Sequence, residues 1–248
     1  NDESAKVLTG SHYEDSLSAF NEEFASGILE VTDGVTYHSY NYDESTSMQK
    51  AKAIKALAES YGKDIDVIQG EMGSQSKSGG NGALNWVRTN PDMQTKYLLR
   101  HIVGEIMSGV LFTSVFSAVD MAESLDAKAD GPITTCGYFG LLGAEFDSKT
   151  GTLVGDYYEK PSYYAFRNLC TLFNGKITPA YIPSIFTPGR SIRIDGFDTP
   201  TKEIISGGLS KENGAKAFCY WNSTNLVTCH GFEGSATFEL SGVSGEVR

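Results

Sequence analysis

A glutamate stands between glycines where an apolar run gives way to a glycine/serine loop: VIQGEMGSQSKSGG, residues 67–80, with Glu71 near its middle. Desolvating a carboxylate is expensive, so this placement implies either an exposed strand end or a use for the charge. An earlier run, GVTYHSY over 34–40, closes on His38-Ser39-Tyr40. Alternation along a strand puts His38 and Tyr40 on one face, and puts Val67, Gln69 and Glu71 on one face of the later run. If the two runs are neighbouring strands that end at one rim, a phenol hydroxyl and an imidazole stand beside the carboxylate. Both can donate hydrogen bonds to it, which keeps it ionised and oriented. Taken singly, each motif has a plainer reading: a solvated loop carboxylate, a packed tyrosine, and Met72 as loop packing.

The elements that must hold these groups are legible from periodicity. Residues up to about 175 alternate short apolar strand, loop and amphipathic helix. The strand AKVLTGS (5–11) precedes the helical SLSAFNEEFASGI, with Leu17, Phe20, Phe24 and Ile28 three or four apart. GVTYHSY precedes the helix SMQKAKAIKALAESYG, which ends at Gly62. DIDVIQG leads through the Gly/Ser loop to NPDMQTKYLLRHIVGEIMSG, where Asn90-Pro91 has the order of a cap and a first-turn proline. VLFTSVFSAVD is followed by a long loop with Gly131-Pro132 and by the helix KPSYYAFRNLCTLFNG. Such alternation implies parallel strands joined by helices, here four units. In a parallel barrel the carboxyl ends of the strands carry the chemistry, and Glu71 stands at such an end. From 176 to 248 the segments SIRIDGF, KAFCYWN and SATFELS are short, β-branched and aromatic, and spaced by turn residues. They read as an antiparallel β module that is itself incomplete.

Composition narrows the partners. Hydrophobic residues make up 40% and charged residues 21% of 248, which suits a chain with a buried core. Lys and Arg number 20 against 31 Asp and Glu, a formal net charge of -11 with no basic run, which argues against nucleic acid or an anionic membrane surface. No apolar stretch approaches the roughly 20 residues that span a bilayer, and NDESAKV has no signal-peptide pattern. The compartment stays open. Cys136, Cys170, Cys219 and Cys229 lack metal-type spacing; they read as buried free thiols, with a Cys219–Cys229 bridge as the alternative.

In order and spacing these motifs resemble the second half of a clan A retaining glycoside hydrolase, a (β/α)8-barrel glycosidase with two catalytic glutamates. Gln69-Gly70-Glu71-Met72-Gly73 is similar to the motif that ends the seventh strand of that clan, and His38-Ser39-Tyr40 to a His-x-Tyr on its sixth. DMQTKYLLRHIVGEIMSGVLFTSVFSAVD resembles its seventh helix and eighth strand. Gly140-Leu141-Leu142 with Lys160-Pro161-Ser162-Tyr163-Tyr164-Ala165 resembles the passage into its last helix. The resemblance covers nearly the whole chain. It implies strands five to eight of a TIM barrel over 1–175, followed over 176–248 by part of a small antiparallel β-sandwich. It makes Glu71 the nucleophile and Tyr40 its hydrogen-bond partner. His38, Asn81, Trp86, Phe116 and Asp120 become sugar contacts, with core packing the alternative for Phe116. The reaction needs neither metal nor organic cofactor.

The clan's acid/base glutamate ends the fourth strand, which has no counterpart here, and Glu3 precedes AKVLTGS at the wrong rim. The expectation is therefore a catalytic part acting on a glycoside or polysaccharide, with the proton donor on a missing N-terminal half or companion polypeptide. The open strand edges favour such association. A carbohydrate-binding or assembly protein on a partial barrel, and a self-paired half-barrel, are the competing readings.

Overall fold

The computed structural model describes residues 4–12, 16–125, 134–188, 192–194, 197–199, 204–223, 232–233, 236–242 and 244. The chain divides into two units, Asn1–Leu172 and Phe173–Arg248.

In the first unit, α1 (Leu17–Ala25), β1 (Gly34–His38), α2 (Glu44–Ser60), β2 (Asp66–Met72), α3 (Pro91–Met107) and β3 (Phe112–Val115) follow in order. The strands pair in parallel as β1-β2-β3. The strand expected over 5–11 is not continuous. It lies along β1 through two isolated parallel bridges, Leu8 to Gly34 and His12 to Tyr37. Side chains take over the rungs between them: the Thr36 N–H donates to the Thr9 hydroxyl at 3.4 Å, and the Thr36 hydroxyl donates to the Thr9 carbonyl at 3.0 Å.

Caps set where the helices begin. Asn90 accepts the Met93 N–H at 2.9 Å with Pro91 in the first turn, as its sequence order implies. α2 starts earlier than its apolar period suggests, because Asp43 caps it, accepting from the N–H groups of Ser45 and Thr46. Val35, Tyr37 and Val67 of the sheet meet Phe20 and Phe24 of α1 and Ala51, Ile54 and Ala58 of α2 in one core. Each large apolar side chain buried there contributes about 1.5–3 kcal/mol, so packing rather than helix propensity holds the helices to the sheet.

Beyond β3 the expected long loop is replaced by antiparallel hairpins. β4 (Met121–Leu125) pairs with β5 (Thr134–Gly137), and β6 (Leu142–Phe146) with β7 (Leu153–Glu159). Gly131-Pro132 lies outside the described residues. The last helix of the unit is α4 (Pro161–Leu172). Among the described residues no helix is long and apolar enough to cross a membrane.

The second unit is antiparallel, as its alternation implies. β8 (Ile177–Ala180), β9 (Ser184–Pro188), β10 (Ile192–Ile194), β11 (Phe197–Thr199), β12 (Ile204–Lys211), β13 (Lys216–Asn222), β14 (Phe232–Glu233) and β15 (Ala236–Leu240) form the sheets β13-β12-β8, β11-β10-β14 and β15-β9. Phe218, Tyr220 and Phe186 gather round Phe238, with ring centroids 4.8–5.2 Å from it. The buried-thiol expectation is corrected: Cys136, Cys170 and Cys219 are free, but Cys170 is exposed and the other two are only half-buried. Cys229 lies outside the described residues.

Candidate active site

The two glycines around Glu71 have separate steric reasons. Tyr37 pairs with Gln69, but the next pair is His38 with Glu71, so Gly70 is an extra residue and the strand bulges there. Val67 packs into the helix-side core and Gln69 bonds Glu105 of α3, so strict alternation would send Glu71 to the helices as well. The bulge turns it to the side of His38 instead. This corrects the expectation that Val67, Gln69 and Glu71 share a face. A β-carbon at Gly70 would press on the His38 ring, 3.1 Å from Nε2. At Gly73 it would lie 2.0 Å from the Phe116 carbonyl oxygen, a position no side chain can take. That glycine lets β2 end against the start of the next segment, where the Phe116 N–H donates to the Met72 carbonyl at 2.8 Å.

Three of the expected residues converge on the carboxylate. The Tyr40 hydroxyl donates to Glu71 Oε1 at 2.5 Å, and His38 Nδ1 lies 3.6 Å from Oε2. Phe116 and Glu71 line one cavity of about 410 Å³ together with Tyr40, Gly82, Ala83, Met121 and Phe139. Phe139 stands edge-on to both Tyr40 and Phe116, with centroids 6.0 and 5.5 Å away, so an aromatic wall faces the carboxylate. Such a wall suits the C–H face of a sugar ring, with the carboxylate as the polar group that fixes orientation. Among the described residues Glu71 is the one carboxylate on this cavity.

The remaining expected contacts lie elsewhere. Asn81 is exposed on the loop before Gly82; its N–H donates to the Cys136 carbonyl and its own carbonyl accepts from Gln75. Trp86 is 73% exposed, with its ring 6.2 Å from that of Tyr42. Asp120 is buried and faces a different cavity, of about 300 Å³. Its Oδ1 accepts from Lys160 Nζ at 2.6 Å and from the Gly140 N–H at 2.8 Å. Burial pushes the Asp120 carboxyl up and the Lys160 ammonium down, and their contact opposes both shifts. Lys160 also donates to Ser76 at 2.8 Å, which pins the loop that follows Glu71.

Sequence reasoning did not find Phe139, Gln94 or the pair Gln69 and Glu105. Gln94, at the start of α3, reaches the carbonyls of Ser74 at 2.9 Å and Phe139 at 3.1 Å and accepts from Ser162, so it ties the rim segments together. Its signal was a polar residue within an apolar helical face.

A buried polar layer lies behind β2. Gln69 Nε2 donates to Glu105 Oε1 at 3.3 Å, and Thr113 Oγ1 donates to Oε2 at 3.0 Å. Burial pushes the Glu105 carboxyl up to about 7, while the bonds from Thr113 and Gln69 oppose the shift. Nearby on α3, burial pushes His101 down to about 3, and its ring stacks on that of Tyr97 at 3.9 Å. A carboxyl whose folded pKa lies above its unfolded value of 4.5 binds more protons when folded, so its contribution is full below about 4.5 and lost as pH rises through about 7. His101 acts in the opposite sense over an overlapping range, so a variant difference isolates Glu105. Glu105→Gln should gain on the wild type as pH rises across that window, by up to about 3 kcal/mol at about 1.4 kcal/mol per pH unit. Denaturant midpoints at acid and neutral pH measure it; a difference that does not change with pH would contradict the assignment.

No protein-family model and no curated protein matches this sequence. Solved structures similar to the chain include β-glucuronidases. One is β-glucuronidase 2 of Bacteroides uniformis covalently bound to cyclophellitol-6-carboxylate aziridine, at 13% identity over 90% of this chain and 29% of that one, with TM-score 0.45. A second is the Ruminococcus gnavus enzyme in complex with N1-substituted uronic isofagomine, at 9% identity over 66% and 25%, TM-score 0.41. A third is the Bifidobacterium dentium enzyme complexed with coumarin-3-O-glucuronide, at 14% identity over 58% and 22%, TM-score 0.38. The chain thus spans less than a third of the length of each. What the site does has to be read from its own residues.

Proposed function

We propose that this chain carries the nucleophile of a retaining glycoside hydrolase acting on a glycoside or polysaccharide, with its βα units as strands five to eight of a (β/α)8 barrel. The observation that carries the reading is the Glu71 carboxylate, turned by a bulge onto an aromatic-walled cavity and held at 2.5 Å by Tyr40 with His38 beside it. Tyr40 occupies Oε1, which leaves Oε2 to attack the anomeric carbon. As the C–O bond to Oε2 forms, the glycosidic C–O bond breaks, and a second carboxyl group protonates the departing oxygen. That second group then takes a proton from water, whose oxygen displaces Glu71 and restores the starting anomeric configuration. The pair must stand about 5–5.5 Å apart. In this reading the acid/base is supplied by a companion polypeptide or an N-terminal half that completes the barrel, as the resemblance to the clan implies.

The stereochemistry of the first-formed product tests this reading. Hydrolysis of an aryl glycoside by the assembled enzyme, followed by proton NMR before mutarotation, should show the substrate's anomeric configuration in the released sugar. An inverted product would contradict a covalent intermediate on Glu71. Sugar binding without turnover would favour a carbohydrate-binding protein built on the same rim.

A further inference from the structure

We propose that Gln69 and Glu105 are positioning residues that hold Tyr40 on the Glu71 carboxylate, an inference that rests on the nucleophile reading of Glu71. The register of β1 with β2 ends at the pair His38 and Glu71, so the backbone of Ser39 lies beyond the ladder. Gln69 supplies a substitute rung. Its Oε1 accepts the Ser39 N–H at 3.2 Å and its Nε2 donates to the Ser39 carbonyl at 3.3 Å. A side-chain amide matches a peptide group in both donor and acceptor, so it can bond both backbone groups of one residue. Ser39 stands between His38 and Tyr40, the two residues that meet Glu71. Fixing its peptide groups therefore fixes where the phenol and the imidazole point.

The amide of Gln69 works only in one orientation, which the Ser39 N–H and carbonyl set and the bond to Glu105 supports. Glu105 Oε1 accepts from Nε2, while Thr113 holds the other oxygen from β3. Turning the amide over would aim its NH2 at the Ser39 N–H and its oxygen at the Ser39 carbonyl. Gln69 and Glu105 are both fully buried, so no exposed solvent position competes for these bonds. The bulge that turns Glu71 toward the cavity leaves Gln69 on the helix side, directly behind the site it braces. One distortion of β2 therefore places both the carboxylate and its support.

A double-mutant cycle in the assembled enzyme tests this, read as labelling of Glu71 by a 2-deoxy-2-fluoroglycosyl fluoride of the gluco, xylo, manno, galacto or glucurono series. The maximal labelling rate is separated from inactivator affinity. Tyr40→Phe alone should slow the maximal rate about 10-fold to 1000-fold, the scale of losing one oriented donor. Gln69→Leu should slow it by about 10-fold or more through misplacement, with affinity nearly unchanged. In the Tyr40→Phe background Gln69→Leu should add less than about 2-fold, because the two act as one unit. If Gln69→Leu does not fold, Glu105→Leu and Glu105→Gln carry the test. The leucine variant should label slowly, and the glutamine variant, which keeps an acceptor for Gln69, should recover most of the rate. Multiplicative losses in the cycle, an unchanged maximal rate in Gln69→Leu, or a glutamine variant as slow as the leucine one would each overturn the inference. A wild type that hydrolyses these sugars with Glu71 unlabelled would instead sink the nucleophile reading, and this inference with it.

Discussion

Glu71→Gln should abolish turnover of the assembled enzyme while leaving its fold and its sugar affinity in place. The amide has the shape of the carboxylate and still offers an oxygen to the Tyr40 hydroxyl, which donates to Oε1 in the wild type. It cannot form the glycosyl ester, so the loss should be on the order of 10⁴-fold or more, the scale that follows removal of a covalent nucleophile. Folding should be neutral or slightly favoured, because a carboxylate in a partly desolvated site opposes stability. Azide added to the smaller variant Glu71→Ala should restore turnover, with a glycosyl azide of inverted configuration as product, since the anion fills the place of the missing oxygen. Normal hydrolysis by Glu71→Gln without an added nucleophile would remove Glu71 from the chemistry.

The second large effect is on stability. Lys160→Met leaves the Asp120 carboxylate in a buried place with only the N–H groups of Gly140 and Ala144, at 2.8 and 3.4 Å. Breaking a buried pair from one side in this way costs about 3–5 kcal/mol, because the remaining charge is not compensated. The double variant Lys160→Met with Asp120→Asn should recover most of that loss: the asparagine oxygen still accepts from Gly140, and no charge remains. The single variant's defect should also shrink in acid, where Asp120 takes up a proton; its folded carboxyl already titrates above the ordinary range, so protonation relieves the folded state first. Denaturant midpoints of the three proteins measure this. A single variant within about 1 kcal/mol of the wild type would mean that the pair adds nothing beyond an exposed ion pair.

Asp120 also shows the limit of what the sequence discloses. The resemblance implies a sugar contact for it as for Phe116, yet Phe116 lines the Glu71 cavity and Asp120 faces another. β3 ends at Val115, so strand alternation does not carry from Phe116 to Asp120, and the partner that holds Asp120, Lys160, stands forty positions along the chain. Glu71, Tyr40 and His38 are legible because each lies at or just past the end of a strand and the strands are consecutive, so neighbouring ends at one rim follow from the topology. Their facing is not, because alternation assumes an unbroken ladder. The glycine before Glu71 marks the place where it breaks, and read as a bulge position it would have predicted the turn of the side chain. Helix starts were legible where Asn90-Pro91 combines two signals and not where Asp43 caps ahead of the apolar period. The hairpins between β3 and α4 are not legible because such short, weakly alternating strands look like loop to a period-based reading.

The most direct measurement is covalent trapping followed by peptide mapping. In a 2-deoxy-2-fluoroglycosyl fluoride the departing fluoride takes the C1–F bonding pair and needs no proton donor, while the C2 fluorine slows release of the ester that forms. Mass spectrometry after digestion of the assembled enzyme should find one sugar per chain, on Glu71, within the peptide that contains VIQGEMGSQSK. Glu71→Gln should take up none. Label on a different carboxylate, or hydrolysis of these sugars with Glu71 unmodified throughout, would contradict its role as the nucleophile.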